Sequence, residues 1–315
     1  MASKGSTASF RLGLVGAGRM GQTHLRALRE SDVTITTVCE PVDALRDEVV
    51  ATFGVRGCRS VHEMLDTEDL DGVLIVTPSD SHVEVIAQVA NAGLAMLCEK
   101  PCGVSPDDTR RAQDIVRDAG VALQIAYWRR FVPPLQVLRE RIRAGEFGEL
   151  LSLSCLQWDG APPSAAFRAR SGGIFVDMGV HEFDQARWLT GSDFASSSAV
   201  ASTVVTDGDS AGDPDGAQVL GLMTSGCTSF ISLGRHYAGG DMASIELFGT
   251  KDHAFSVFLS PEDGERAQLD ALARQAAAFA RYVAGGICEG ATVDDAIAAL
   301  EAAALVARQL SVGLG

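Results

Sequence analysis

The stretch FRLGLVGAGRMGQTHLRALRE, residues 10–30, limits the possible folds more than any other part of the chain. A short apolar run feeds directly into G-x-G-x-x-G at Gly16, Gly18 and Gly21, and a helical pattern follows. Strand, glycine turn and helix, in that order, make the context a dinucleotide-binding βαβ unit requires. Gly16 makes the tight turn, Gly18 lets a pyrophosphate approach the backbone, and Gly21 lets helix pack against strand. The helix N-terminus then faces the phosphates, and Arg19 and Met20 inside the turn belong to the same candidate cofactor site. A second strand, ITTVCE, ends at Glu40, roughly 20 residues past the glycines, where an acid accepts hydrogen bonds from ribose hydroxyls. The same charge repels a 2′-phosphate, and Pro41 brings no cation to offset it. NAD is therefore expected in preference to NADP.

From Phe10 to Tyr127 the pattern continues. FRLGLVG, ITTVCE, GVLIVTP, LAMLCEK and VALQIAY read as buried strands, and SHVEVIAQVANAG and SPDDTRRAQDIVRDAG as helices between them. This alternation predicts a parallel sheet covered on both faces. Ser105 as N-cap, Pro106 at the first position and acids in the first turn mark one helix start. After PPLQVLRERIRAGEFG the texture changes to strands with the alternation of a half-wet sheet: LLSLSCLQW, SAVASTVVT, AQVLGLMT, CTSFISLG, SIELFGT and HAFSVFL. The acidic, Gly-rich DGDSAGDPDG reads as a turn among them. Helices are expected over Leu269–Ala284 and Val293–Leu310. The fold class is thus α/β, with a Rossmann domain over 10–127, a mixed α+β domain over 128–315 and a polar tail over 1–9.

Bulk properties narrow the function. A net charge of −15 without a Lys/Arg cluster argues against nucleic acid as partner. No apolar run approaches the roughly 20 residues of a membrane-spanning helix, and the polar start MASKGSTAS lacks the apolar stretch of a signal peptide. Seven scattered cysteines fit free thiols in a reducing cytoplasm. Cys98 and Cys102 flank Glu99-Lys100-Pro101, but no second Cys/His pair stands nearby, so no metal is expected.

Ligands of such sheets lie beyond the carboxyl ends of the strands. Two further strand ends reach that crevice. In TPSDSH, Thr77 and Pro78 border the nicotinamide side, while Ser79 and His82, counted with the cofactor site, also suit the cap of the next helix. In EKP, Glu99 and Lys100 stand at the mouth of the nucleotide site, and Lys100 is a candidate for chemistry. GGIFVDMGVHEFD, 172–184, sets Asp177 and His181 four apart and Asp184 three further on, nearly one helical stripe. Read alone, these are an N-cap, a core histidine and a solvated acid.

GxGxxG, then EKP, then GG-x(3)-D-x(3)-H-x(2)-D followed by ARWLTG resembles the glucose–fructose oxidoreductase and inositol dehydrogenase (Gfo/Idh/MocA) family from Phe10 to the C-terminus. The resemblance implies an N-terminal Rossmann domain and a C-terminal domain on an open, largely antiparallel sheet whose outer face makes homodimers or homotetramers. It also implies NAD(P)-dependent oxidation or reduction of a sugar, cyclitol or similar polyol. Carried over, Lys100, Asp177 and His181 form the catalytic group. His181 takes the hydroxyl proton, Asp177 orients its imidazole, and Lys100 holds the hydroxyl oxygen. Asp184 then contacts substrate hydroxyls, and Trp128 and Arg129 of YWRRF line the pocket.

Gln157 and Asp159 fall among the substrate contacts where the inositol enzymes carry His and Asn, and Leu272 stands where many members have tyrosine. These departures point away from myo-inositol itself. Carboxylates at Asp159 and Asp184 favour a cationic, amino-substituted ring. Two alternatives keep the fold: a catalytically silent dinucleotide-binding regulator, and a relative that cleaves glycosides through transient oxidation.

Overall fold

The computed structural model describes residues 9–205 and 213–313. The polar start before Ser9 and most of DGDSAGDPDG lie outside the described residues. Strands β1 (Phe10–Val15), β2 (Val33–Cys39), β3 (Arg56–Cys58), β4 (Gly72–Ile75), β5 (Ala95–Cys98) and β6 (Leu123–Ile125) build the first sheet. They pair in parallel in the order β3-β2-β1-β4-β5-β6. The order reverses between β1 and β4, and the ligand crevice of such sheets opens at that point. Helices α1 (Arg19–Ala27), α2 (Asp43–Phe53), α3 (Val61–Thr67), α4 (His82–Asn91) and α5 (Pro106–Ala119) connect the strands. Leu12, Leu14, Leu74, Ile75, Met96 and Leu97 are fully buried, as their unbroken apolar runs predict for a sheet covered on both faces. The start of α5 also follows its sequence: the Ser105 side chain accepts from the Asp108 N–H, and Pro106 opens the helix. Strand β3 is the exception, since of RGC only Cys58 is buried and no apolar pattern announces it.

The rest of the chain forms α6 (Pro133–Arg143), β7 (Leu150–Trp158), α7 (Ala165–Arg168), α8 (Val180–Thr190), β8 (Phe194–Ser202), β9 (Gly216–Met223), β10 (Thr228–Gly234), β11 (Met242–Gly249), β12 (His253–Leu259), α9 (Gly264–Val283) and α10 (Val293–Gly313). Its sheet runs β12-β11-β7-β10-β9-β8, antiparallel throughout except for the β7–β10 pair. Leu153, Cys155, Val219, Ile231, Leu233 and Ile245 turn one face into the core, and α8 packs against β7. Val200, Leu220, Leu222, Phe255 and Val257 stay exposed. Among the described residues no helix is long and apolar enough to cross a membrane.

Helix α9 starts earlier than its Ala-rich stretch suggests, and it does not stay with the second sheet. Phe279 packs among Leu12, Leu14 and Val38 and meets Phe10 edge-on at 5.9 Å. Ala291 then bridges to Ile125 at the end of β6. Residues far beyond 127 therefore complete the cover of the first sheet.

Candidate active site

At the glycine turn the steric demands are unequal. Gly16 has φ +104°, and a Cβ there would lie 2.7 Å from the Val76 carbonyl oxygen; one on Gly21 would lie 2.2 Å from that of Gly16. Both positions require glycine for the protein's own packing. Gly18 differs: a Cβ would meet nothing within 4 Å. It is the N-cap of α1, and its turn carries no side-chain cap. Open space before uncapped helix N–H groups is what a pyrophosphate needs. Glu40 lies beside the turn, its carboxylate accepting from the Ala17 N–H at 3.1 Å and the Val42 N–H at 3.0 Å. Each oxygen keeps a second lone pair for a ribose hydroxyl, so the residues present fit NAD. Gly21→Ala is expected to push α1 off the turn and weaken NADH binding by roughly 10–100-fold, matching the 1–3 kcal/mol cost of overpacking. A fluorescence titration that finds equal affinity would contradict this.

The next two strand ends are bound more tightly into the protein than their sequence suggests. The Ser81 hydroxyl donates to the Thr77 hydroxyl at 2.9 Å within the turn Ser79–Ser81. Neither Ser79 nor His82 caps α4: Ser81 holds the N-cap position without a side-chain bond. The His82 ring turns inward, with Nδ1 at 2.8 Å from the Pro101 carbonyl oxygen and Nε2 at 2.8 Å from that of Thr77. The Glu99 carboxylate accepts from His24 Nε2 at 2.8 Å and from the Lys100 N–H at 3.2 Å. His82 and Glu99, both expected at the cofactor, thus have their polar atoms engaged inside the protein. Burial of both demands such partners. Lys100 Nζ crosses to the second motif and donates to the Asp177 carbonyl oxygen at 2.8 Å.

In that motif, Gly172 and Gly173 adopt φ of +83° and +80°, and a π-helical turn over Phe175–Gly179 leads into α8. The wider i→i+5 turn changes the angle between positions 177 and 181 from that of an α-helix. No hydrogen bond joins Asp177 to His181. The Asp177 carboxylate instead accepts from Arg235 Nη1 at 3.1 Å. Arg235, fully buried just after β10, also lies 2.9 Å from Asp213 Oδ2, and Asp213 Oδ1 accepts from the Ile174 N–H at 2.8 Å. The expected orientation of the imidazole by Asp177 is therefore corrected: the arginine holds that carboxylate. His181 sits edge-on to Tyr127 at 5.9 Å and Trp128 at 6.3 Å, and its Nδ1 is buried without a partner. Burial, then the charges of Lys100 and Arg129, push its pKa well below the ordinary 6.5.

Asp184 is held by an arginine as well. Arg130 donates to both of its carboxylate oxygens, from Nε at 3.0 Å and Nη2 at 2.5 Å, and reaches Asp295 at 3.1 Å. Asp184 is 2 % exposed, and the arginine occupies both of its oxygens. Arg129 is buried too, donating to Glu182 and to the side-chain amide oxygen Oε1 of Gln157. Gln157 passes the orientation on, its Nε2 donating to Asp159 Oδ1 at 2.9 Å. Burial raises the pKa of Asp159; the Gln157 bond lowers it, and the Asp241 and Asp177 charges raise it again. Leu272 is fully buried on α9.

The structure thus joins Lys100 to Asp177, sets Trp128 against His181, and links Arg129, Gln157 and Asp159 in a second chain. Arg235, His24, Arg130 and Glu182 escape sequence reasoning. The partner of each stands tens of residues away, Glu182 included, since it pairs with Arg129; a helical pattern places Glu182 beside His181 without revealing its burial.

Residues 10–127 match the NAD-binding Rossmann domain of the GFO_IDH_MocA oxidoreductase family, and residues 135–255 match the GFO/IDH/MocA C-terminal domain. The chain is 46% identical over 303 residues to the rhizopine catabolism protein MocA of Rhizobium meliloti, spanning 96% of this chain and 95% of that protein. Over 246 residues it is 33% identical to an inositol 2-dehydrogenase of Rhizobium meliloti, with 77% of this chain and 74% of the relative covered. A crystal structure of a myo-inositol dehydrogenase from Corynebacterium glutamicum shares the fold, with a TM-score of 0.87 at 24% identity over 97% of each chain. With both halves matched, the chain belongs to the Gfo/Idh/MocA family of oxidoreductases.

Proposed function

We propose that the protein is an NAD-dependent dehydrogenase that oxidises a secondary hydroxyl of a cyclitol or a closely related sugar. The observation that carries this is Lys100 Nζ, held at 2.8 Å by the Asp177 carbonyl and close enough to His181 to lower its pKa. NAD, when bound, supplies the hydride acceptor at nicotinamide C4. Gly16, Gly18, Arg19, Met20 and Gly21 hold its pyrophosphate, Glu40 its ribose, and Thr77, Pro78 and Ser79 border the nicotinamide side. His181, uncharged at neutral pH, accepts the hydroxyl proton. Lys100 stabilises the oxygen as it becomes alkoxide-like, and the Asp177 carbonyl aims the lysine. Trp128 walls the pocket, and Gln157 and Asp159 contact the ring.

Arg130 neutralises Asp184, and Arg235 is shared by Asp177 and Asp213. Asp159 has no ion pair of its own among the described residues, and it favours an amino-substituted ring. NADH formation across a panel of cyclitols, sugars and their amino analogues tests both levels. Turnover is expected on cyclitols, with kcat/KM roughly tenfold or more higher for the amino analogue, as charge-assisted hydrogen bonds allow. Tight NAD binding without turnover would overturn the dehydrogenase; equal kcat/KM would remove the amino preference.

The exposed apolar residues of β8, β9, β11 and β12 support a homodimer or homotetramer joined through the outer face of the second sheet. Sedimentation of the wild type as an oligomer, and of Leu220→Glu as a smaller species, is the expected result; a wild-type monomer refutes it. All seven cysteines are unpaired, which supports a reducing, cytoplasmic setting.

A further inference from the structure

Two buried histidines take no part in this chemistry, yet both hold the segment that carries Lys100. His24 lies on α1, the helix that opens at the glycine turn, and is fully buried. Its Nε2 meets Glu99 Oε1 at 2.8 Å, while Glu99 Oε2 accepts from the Lys100 N–H at 3.2 Å. His82 lies on α4 and is 1 % exposed. Its two nitrogens meet the carbonyl oxygens of Pro101 and Thr77, each at 2.8 Å. The residues before and after Lys100, and the lysine's own N–H, are therefore all tied down, from two different helices.

The acceptors explain why imidazoles stand there. A carboxylate and two carbonyls offer only lone pairs, and the His24 ring gives Glu99 an N–H. The His82 ring, which burial keeps toward the neutral form, carries one N–H and in its Nδ1-protonated tautomer gives it to the Pro101 carbonyl. An apolar side chain in place of either ring would remove that donor. A lysine side chain brings large rotamer entropy to any site. Fixing its backbone on both sides leaves only the side chain to be ordered, which the Asp177 carbonyl does.

We propose that His24 and His82 are positioning residues for Lys100, clamping its loop to α1 and α4 so that the ammonium stays in register with the second motif. The role in turnover rests on Lys100 taking part in the reaction, as proposed above; the clamp itself does not.

The chain has three lysines, Lys4, Lys100 and Lys251, so [ε-13C]lysine labelling of the full chain gives a spectrum simple enough to assign with Lys100→Arg. In His24→Leu and in His82→Leu the Lys100 signal is expected to shift or broaden while the other two stay in place. Turnover should fall by roughly 10²-fold, the cost of misplacing a reacting group by about 1 Å, with NADH affinity within about twofold of wild type. On a Lys100→Ala background the same substitutions should cost nothing further, because a residue acting through Lys100 is non-additive with it. His24→Gln, which keeps a donor for Glu99, should recover part of the loss; it and His82→Gln carry the same spectra if the leucine variants fail to fold. An unmoved Lys100 signal in the folded variants, or full additivity with Lys100→Ala, overturns the proposal. A moved signal combined with wild-type turnover of Lys100→Ala leaves the clamp standing and removes Lys100 from the chemistry.

Discussion

Replacing His181 with alanine lowers kcat by about 10²–10⁴-fold, the usual share of a general base, and leaves NADH affinity near that of wild type. The side chain belongs to α8 and packs against Tyr127 and Trp128, whereas the dinucleotide turn and Glu40 belong to the first sheet. The pH profile gives a second readout. Burial, Lys100 and Arg129 all lower the His181 pKa, so the imidazole stays uncharged as pH falls through 6.5. The acid limb of kcat/KM should therefore lie below the ordinary histidine range, and Lys100→Ala should move it upward by removing one of the two cations. Unchanged turnover in His181→Ala, or a wild-type limb at about 6.5, would set the assignment aside.

Replacing Arg130 with leucine costs roughly 3–5 kcal/mol of stability, the penalty for breaking a buried ion pair and stranding one partner. The stranded partner is Asp184, with Asp295 beside it. Burial already raises the Asp184 pKa against the pull of Arg130. Without the arginine it rises further, so the carboxyl protonates at a higher pH in the folded variant than in the unfolded chain. The gap between variant and wild type should thus narrow as pH falls and widen as it rises. Urea midpoints measured across that range check both magnitude and sign. A midpoint equal to that of wild type at neutral pH would contradict the pairing.

The sequence disclosed the features that depend on local order. The glycine turn, Glu40 at the end of β2, the EKP lysine and the half-wet strands of the second sheet all depend on spacing within a few residues or on strand alternation, whereas that sheet's mostly antiparallel order came from the family resemblance. Pairing across long separations left no such mark. Arg235 stands 58 residues from Asp177, His24 stands 75 from Glu99, and Arg130 stands 54 from Asp184. Each pairing bears on an expected role: the Asp177 carboxylate pairs with Arg235 and not with His181, Glu99 accepts from His24 on α1, and Asp184 pairs with Arg130. Acids on an apolar stripe signal that something must neutralise them, but that signal does not name the partner. The π turn over Phe175–Gly179 was equally hidden, because its residues also fit an α-helix.

The return of α9 to the first sheet bears on how the chain is made. During synthesis Phe10, Leu12 and Leu14 leave the ribosome early, but the helix carrying Phe279 emerges only after the whole second sheet. Until then that face of the nucleotide domain is covered only in part, by Leu25, Leu28 and Val49 of the α1 and α2 segments, and contacts of such long sequence separation form late. A fragment ending at residue 127 would keep that gap in the cover permanently and tend to aggregate. A nascent chain must shield it until about the last sixth of the protein arrives, roughly the point at which domain-by-domain folding gives way to folding of the whole.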